Sequence, residues 1–139
     1  MYDDVSLDFN SVNEYLDRFK GNIAVNIAWL VPHNSLRLET AGFQNRLLTP
    51  DEIKKACRLA TEAMEQGAKG LSTGLSYYPG AFSNTEELIE ICKAVREQDG
   101  VYVTHLRTVF QGESFDNIEE AIEIARCSGV KLHFSHYRT

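Results

Sequence analysis

Two histidines occupy the same place in two similar stretches of the sequence. His105 lies in YVTHLRT (residues 102–108) and His136 in FSHYRT (residues 134–139), each after a short apolar run and shortly before an arginine. Neutral imidazoles are common zinc ligands, with Zn–N distances of about 2.0 to 2.1 Å. Zinc acidifies water and polarises carbonyl groups, which is chemistry used in hydrolysis. The pair predicts a metal site, whereas the simpler alternative is two strand-end histidines bonded only to backbone.

The spacing of the two histidines favours a shared position. They are 31 residues apart, which is the length of one strand-helix repeat, and neighbouring parallel strands lie roughly 4.8 Å apart. Barrels and open α/β sheets build their sites at the carboxyl ends of the strands. We therefore expect His105 and His136 on adjacent strands, close enough to share a metal ion or a water molecule. His133 is expected on the opposite side of its strand and is interpreted as structural.

Two further polar residues lie near predicted strand ends. Arg107 is two residues beyond His105 and on the same strand face. Its guanidinium could bind a substrate carboxylate or form a salt bridge, and both alternatives stay open. His33 follows Pro32 at a strand exit, where it either shapes a pocket or caps a loop. The glycines of GAKGLSTG (67–74) do not indicate a phosphate loop, because no Gly-Lys-Ser/Thr follows them.

Four segments carry the periodic apolar pattern of helices. The clearest is 48–67, where Thr49, Pro50 and Glu52 form a capped first turn. The others are a short helix between Ser11 and Gly21, one over 84–98 and one near 116–127. Three apolar stripes are expected to face the sheet: Ile53, Ala56, Cys57, Ala60, Ala63 and Met64; Leu88, Ile91, Cys92 and Val95; and Ile118, Ala121, Ile122 and Ala125.

Four short apolar segments alternate with these helices and predict strands. They are residues 22–31, 68–75, 101–107 and 130–137, which gives the order αβαβαβαβ. A helix, a glycine and a strand recur at Gly67, Gly100 and Gly129, at intervals of 33 and 29 residues. Strands joined by helical crossovers run parallel. The sequence therefore predicts an α/β fold with an all-parallel sheet, in which 22–31 is a strand buried on both faces.

The composition is that of one globular domain over residues 1–139. The 43% hydrophobic content is enough for a core, and the net charge of −6 argues against a nucleic-acid partner. Neither a signal peptide nor a membrane span is recognisable, so a cytoplasmic location is expected. The three cysteines, Cys57, Cys92 and Cys127, fall on predicted helices without CxxC spacing. They are interpreted as helix-packing residues rather than disulfides or metal ligands.

Four motifs occur in an order that is similar to one enzyme family along nearly the whole chain. They are VPHNSLR, GAKGLSTGLSYYPGAFSNTEEL, VYVTHLR and GVKLHFSHYR, and they resemble the N-acyl-D-amino-acid deacylases, or D-aminoacylases, of the amidohydrolase superfamily. The resemblance implies a (β/α)₈ TIM barrel, of which this chain covers about the third to sixth strands. It also implies zinc at the barrel mouth and hydrolysis of the amide bond of a small-molecule N-acyl-D-amino acid. By the same resemblance, His105 and His136 bind the zinc and Tyr77 contacts the substrate.

Several parts of the family pattern do not occur in this sequence. There is no HxH pair, and neither the strand-end cysteine nor the late-strand aspartate is present. We interpret the chain as a middle segment of a barrel, from a truncated reading frame, a split gene or deliberate excision. We expect it to be inactive alone and to depend on the remaining barrel segments or on self-association. Four side chains are expected to point into the barrel: Val101, Val103, Leu132 and Phe134.

A second hypothesis belongs to a different class. The chain could be a non-catalytic α/β module or degenerate remnant that acts by self-association or by binding in a pocket. Flanking reading frames that carry HxH and a late-strand aspartate would favour the enzyme hypothesis.

Overall fold

A single parallel sheet organises the chain. The computed structural model describes residues 11–107 and 115–136. Its strands pair in the order β1-β2-β3-β4, and every pair is parallel. This confirms the predicted α/β fold with strands and helices in alternation. The strands are β1 (Val31–Pro32), β2 (Gly70–Gly74), β3 (Val101–His105) and β4 (Lys131–Phe134).

The helices pack against one face of this sheet. Thr49 accepts a hydrogen bond from the backbone of Glu52, whose carboxylate accepts one from the Thr49 backbone N–H, so the predicted capping box is present. No helix in the described ranges is long and apolar enough to cross a membrane. The helices are α1 (Val12–Asp17), α2 (His33–Ala41), α3 (Pro50–Glu65), α4 (Thr85–Glu97) and α5 (Phe115–Ser128), with a short 3₁₀ helix at Gly80–Phe82.

The core lies between the sheet and helices α3 and α4. Leu71 of β2 and Tyr102 of β3 are fully buried against it. Burial of each large apolar side chain contributes about 1.5 to 3 kcal/mol. The predicted α4 stripe is confirmed, since all of its members are fully buried: Leu88, Ile91, Cys92 and Val95.

The first strand is much shorter than the sequence predicts. Residues 22–31 were expected to form a buried strand, but β1 begins at Val31, and the side chain of Val25 is 72% exposed. The backbone of Trp29 accepts a hydrogen bond from Lys69 at 2.8 Å, which is where contact with the β2 segment starts. The prediction was wrong because an apolar run shows only where a strand can form. A strand also needs an adjacent strand whose backbone groups hydrogen-bond to it.

The stripe of α5 is rotated from the predicted one. Ile122 was expected to be buried, but it is 49% exposed, whereas Ile124 is fully buried. Ala121 is also buried, and Ala125 packs at the edge of the core. Two isoleucines two positions apart allow two helix orientations, and the local pattern did not decide between them.

The four side chains expected to point into a barrel do not share a face. Tyr102 pairs with Leu132 across β3 and β4, and Val103 pairs with His133. Since paired residues of parallel strands lie on the same side of the sheet, Leu132 and Phe134 belong to the helix-covered face, and Val101 and Val103 to the open face. The prediction was wrong for Leu132 and Phe134, because it did not include the register between the two strands.

Candidate metal centre

His105 and His136 meet at the carboxyl end of the sheet. His105 ends β3, and His136 lies two residues beyond β4. The backbone N–H of Ser135 donates to the carbonyl of Thr104 at 3.0 Å, so strand pairing continues past β4 and holds the second histidine beside the first. Nδ1 of His105 contacts Nε2 of His136 directly, and the ring centroids are 4.6 Å apart. The predicted proximity on adjacent strands is confirmed.

Two ring nitrogens in direct contact have a simple chemical requirement. Two imidazole lone pairs cannot face one another without a proton or a cation between them, because each neutral ring has one donor and one acceptor nitrogen. An N–H···N hydrogen bond between the rings meets this requirement, and a divalent metal ion bound by both nitrogens also would, with the nitrogens farther apart than in direct contact. Among the described residues, no group of three or more histidine, cysteine or acidic side chains is arranged to hold a metal ion. The donor set fits part of a catalytic zinc site, which normally has three protein ligands.

Tyr77 lies in the turn after β2 and reaches the first histidine. Its ring centroid is 5.2 Å from that of His105, and the side chain is 55% exposed. Its backbone N–H donates to the carbonyl of Gly74 at 3.0 Å, and a Cβ atom at Gly74 would be 2.7 Å from the Tyr77 ring. A glycine is therefore needed for this ring position. Tyr78 turns away and packs on Phe82, with ring centroids 4.5 Å apart.

Arg107 forms the salt bridge that was one of its two predicted roles. Its Nε and Nη2 donate to the Glu120 carboxylate of α5 at 3.0 and 3.1 Å. Nη1 donates to the carbonyl of Ala81, and Nη2 to that of Ser83, both at 3.1 Å. The alternative role, binding of a substrate carboxylate, stays a prediction, and a ligand would compete with these contacts.

His33 belongs to a buried ionic network that the sequence did not reveal. It begins α2, is fully buried, and its Nε2 lies 2.8 Å from Oε1 of Glu87. Nη1 of Arg37 donates to the other carboxylate oxygen of Glu87 at 2.5 Å, and Nη2 donates to the carbonyl of Arg46 at 2.6 Å. Glu87 lies in the first turn of α4, where the helix dipole also favours a negative charge. His33 thus ties helices together rather than capping a loop.

A buried hydroxyl cluster lies beneath the site on the helix-covered face. Thr73 lies 2.8 Å from the hydroxyl of Thr104 and 3.1 Å from that of Tyr102. Burial raises the pKa of Tyr102 to about 12, and the hydrogen bonds from both threonines oppose that rise in part. The cluster links β2 to β3 directly below Gly74 and His105.

A cleft of about 300 Å³ runs along the carboxyl ends of the strands. Residues in all four strands or directly after them line it, and strands that are consecutive in the chain are neighbours in the sheet. It is the place at which α/β barrels carry their active sites. The lining includes His33, Gly74, Tyr77, His105 and His136.

Comparisons with known proteins agree with this arrangement. The chain is 38% identical to D-aminoacylase of Alcaligenes xylosoxydans xylosoxydans over 135 residues, which is 96% of this chain and 28% of that protein. A solved structure of D-aminoacylase, described for its binuclear metal centre, matches with a TM-score of 0.84 and 36% identity, covering 94% of this chain and 27% of that one. No family model matches the chain.

A third relative was solved with a metal and an inhibitor. N-acyl-D-glutamate deacylase from Bordetella bronchiseptica, in complex with zinc and a phosphonate mimic of the tetrahedral intermediate, matches with a TM-score of 0.78 and 29% identity. The match covers 89% of this chain and 26% of that one.

The fold of this chain thus matches a segment of the amidohydrolase barrel. Within that class, the chain is a homologue of the N-acyl-D-amino-acid deacylases, which are hydrolases of amide bonds. It spans about a quarter of the length of the relatives that it matches.

Proposed function

We propose that this chain forms one wall of a metal-dependent active site that hydrolyses the amide bond of N-acyl-D-amino acids. The observation that carries the proposal is the contact between Nδ1 of His105 and Nε2 of His136 at the strand ends. Relatives that share this segment include a D-aminoacylase with a binuclear metal centre and a deacylase solved with zinc. We therefore propose zinc as the ion that these two histidines hold. Zinc, when bound, supplies Lewis acidity and acidifies water.

Tyr77 is proposed to bind the substrate. Its ring lies beside His105 at the edge of the cleft, and more than half of the side chain is exposed. A phenol O–H in this place donates a hydrogen bond to the oxygen of a carbonyl held at the site, and such preorganised donors stabilise developing negative charge. The carboxylate of an amino-acid product or substrate is the ligand that Arg107 would bind if it leaves Glu120.

In this proposal the described residues provide two of the metal ligands, and the lining of the cleft contains no carboxylate side chain. We propose that the third ligand and the proton-transfer group come from other segments of a (β/α)₈ TIM barrel, on the same or another chain. The domain formed by residues 1–139 corresponds in this proposal to about the third to sixth strands. A cytoplasmic location stays a prediction from composition.

Zinc titration of the purified chain tests the proposal. We expect a 1:1 site in competition with a chromophoric chelator. His105→Ala or His136→Ala should each weaken zinc binding roughly a hundred-fold, since a bound zinc gains about 3 kcal/mol from each protein ligand. His133→Ala is the matched control, because His133 lies exposed on β4.

Three outcomes separate the hypotheses. An equal loss in the His133→Ala control, or no zinc binding by the wild-type chain, would contradict the metal role and favour the non-catalytic module. Hydrolysis of N-acetyl-D-amino acids is expected only when the missing ligands are supplied. Zinc-dependent turnover by this chain alone would refute the proposal that its site is incomplete.

A further inference from the structure

The first residues of the turn that carries Tyr77 are hydrogen-bonded to the end of β3. We call residues 75–83 the Tyr77 turn. The backbone N–H of Leu75 donates to the carbonyl of His105 at 3.2 Å, and the hydroxyl of Ser76 donates to the carbonyl of Leu106 at 3.0 Å. These two bonds fix the chain immediately before Tyr77 in register with the residues that carry and follow the first histidine.

Arg107, which follows Leu106 in the chain, holds the last residues of the same turn. Its guanidinium donates to the carbonyls of Ala81 and Ser83, and its fork is held from behind by both oxygens of Glu120. The side chains of Arg107 and Glu120 are only 24% and 15% exposed. Charge-assisted, bidentate bonds of this kind are stronger and more directional than neutral ones. Thr85 also donates to Glu120, at 3.2 Å, which fixes the carboxylate itself.

The floor of the turn is closed by α2. A methyl group added at Gly80 would lie 2.3 Å from Oδ1 of Asn34 and 3.3 Å from Nδ1 of His33. The turn is thus seated on the start of α2, between two anchored ends, and has little room to shift toward the helix.

We propose that Arg107 is a positioning residue of the candidate metal centre. It holds the Tyr77 turn so that the Tyr77 ring rests on His105, and this contact keeps the His105 imidazole turned toward His136. The residue acts through Tyr77 and touches neither metal nor substrate in this role. The part that concerns the metal rests on the function proposed above, whereas the part that concerns the two rings does not.

The chain offers a matched control for this role. Arg46 also makes a two-pronged contact with a carboxylate, that of Glu52, with both N–O distances 2.7 Å, and it also donates to a backbone carbonyl, that of Leu47, at 2.9 Å. It lies in the connection between α2 and α3 and does not line the cleft. Arg107→Gln and Arg46→Gln therefore remove the same chemistry from two places.

The first measurement uses the metal-free chain with ¹³C-labelled tyrosine and histidine rings. In the wild type and in Arg46→Gln, nuclear Overhauser effects between the Tyr77 and His105 rings are expected, because the centroids are 5.2 Å apart. In Arg107→Gln they should be lost or reduced several-fold. If they persist unchanged in folded Arg107→Gln, the proposal is overturned.

The second measurement is zinc affinity. We expect Arg107→Gln to weaken zinc binding about ten-fold, the effect typical of residues that orient a ligand, and Arg46→Gln to leave it unchanged. Loss of the ring contact in a chain that never binds zinc would support the positioning role and contradict the metal role. An unchanged affinity together with an unchanged ring contact would contradict the positioning role alone.

A conservative variant covers the case in which Arg107→Gln does not fold. Arg107→Lys keeps the charge beside Glu120 but cannot bond both carbonyls and both carboxylate oxygens with one ammonium group. We expect it to fold and to show a weakened Tyr77–His105 contact. Wild-type ring contacts and zinc affinity in Arg107→Lys would show that the guanidinium fork is not required.

Discussion

The helix-covered face of the sheet and the cleft at the strand ends are held together by different kinds of contact. On the helix-covered face, Leu71 and Tyr102 are fully buried, and the hydroxyls of Thr73 and Thr104 lie 2.8 Å apart. At the strand-end cleft, Tyr77 and His136 are exposed, and the contacts join rings and turns rather than packed apolar groups. The same short strands carry residues of both regions. Stability and chemistry are therefore carried by different residues of the same strands, and substitutions should separate them.

The largest effect on stability is expected at Arg37, which is buried between helices. Arg37→Met leaves the carboxylate of Glu87, 1% exposed, without its cation. Removing one partner of a buried ion pair costs about 3 to 5 kcal/mol, and the free energy of unfolding from urea titration should fall by that amount. Arg46→Met is the control: Arg46 pairs with Glu52 at the surface, where such pairs contribute at most about 1 kcal/mol. Equal losses in the two variants would show that burial does not distinguish these ion pairs.

An intermediate effect is expected from the buried phenol of Tyr102 at high pH. Its pKa is raised by burial from an ordinary value of 10.0 to about 12, so the unfolded chain loses the proton first. The stabilisation is complete below about pH 10, and the free energy of unfolding should fall by roughly 2 to 3 kcal/mol between about pH 10 and 12. Tyr102→Phe should remove this part of the pH dependence. A variant whose stability falls as steeply as that of the wild type would assign the slope to other groups.

The smallest effect on stability is expected at the cleft. Tyr77→Phe keeps the ring against His105 and removes only an exposed hydroxyl, so the unfolding free energy should change by no more than about 0.5 kcal/mol. In an enzyme in which the site is complete, loss of a hydrogen bond to the developing oxyanion should lower turnover roughly ten- to a thousand-fold. A loss of stability above 1 kcal/mol with unchanged turnover would place Tyr77 among the packing residues.

Local sequence patterns predicted much of how the helices begin and which of their residues are buried. The capped start at Thr49 and the stripe containing Leu88 and Ile91 depend on neighbours within a few residues, and both are present as predicted. The meeting of His105 and His136 was also predictable, because one strand-helix repeat brings equivalent positions side by side. These features require only local periodicity and the rule that crossovers make strands parallel.

The features that were not predicted depend on partners distant in the sequence. His33 and Arg37 meet Glu87 across 54 and 50 residues, and nothing local distinguishes a buried glutamate from a surface one. Helix α2 was missed because its segment, 33–41, has a weak apolar pattern. Its one local signal is Gly42 directly after it, whose positive φ of 68° ends the helix.

The strand order described above also has a consequence for how the molecule folds. Each strand pairs with its successor in the chain, so every ladder closes over only the segment that joins two consecutive strands. The entropic cost of loop closure is then similar for each strand that joins the sheet. No strand pair requires the two ends of the chain to come together. Tyr77, His105 and His136 belong to three successive units. The contacts of His105 with Tyr77 and with His136 therefore each join neighbouring units of the chain.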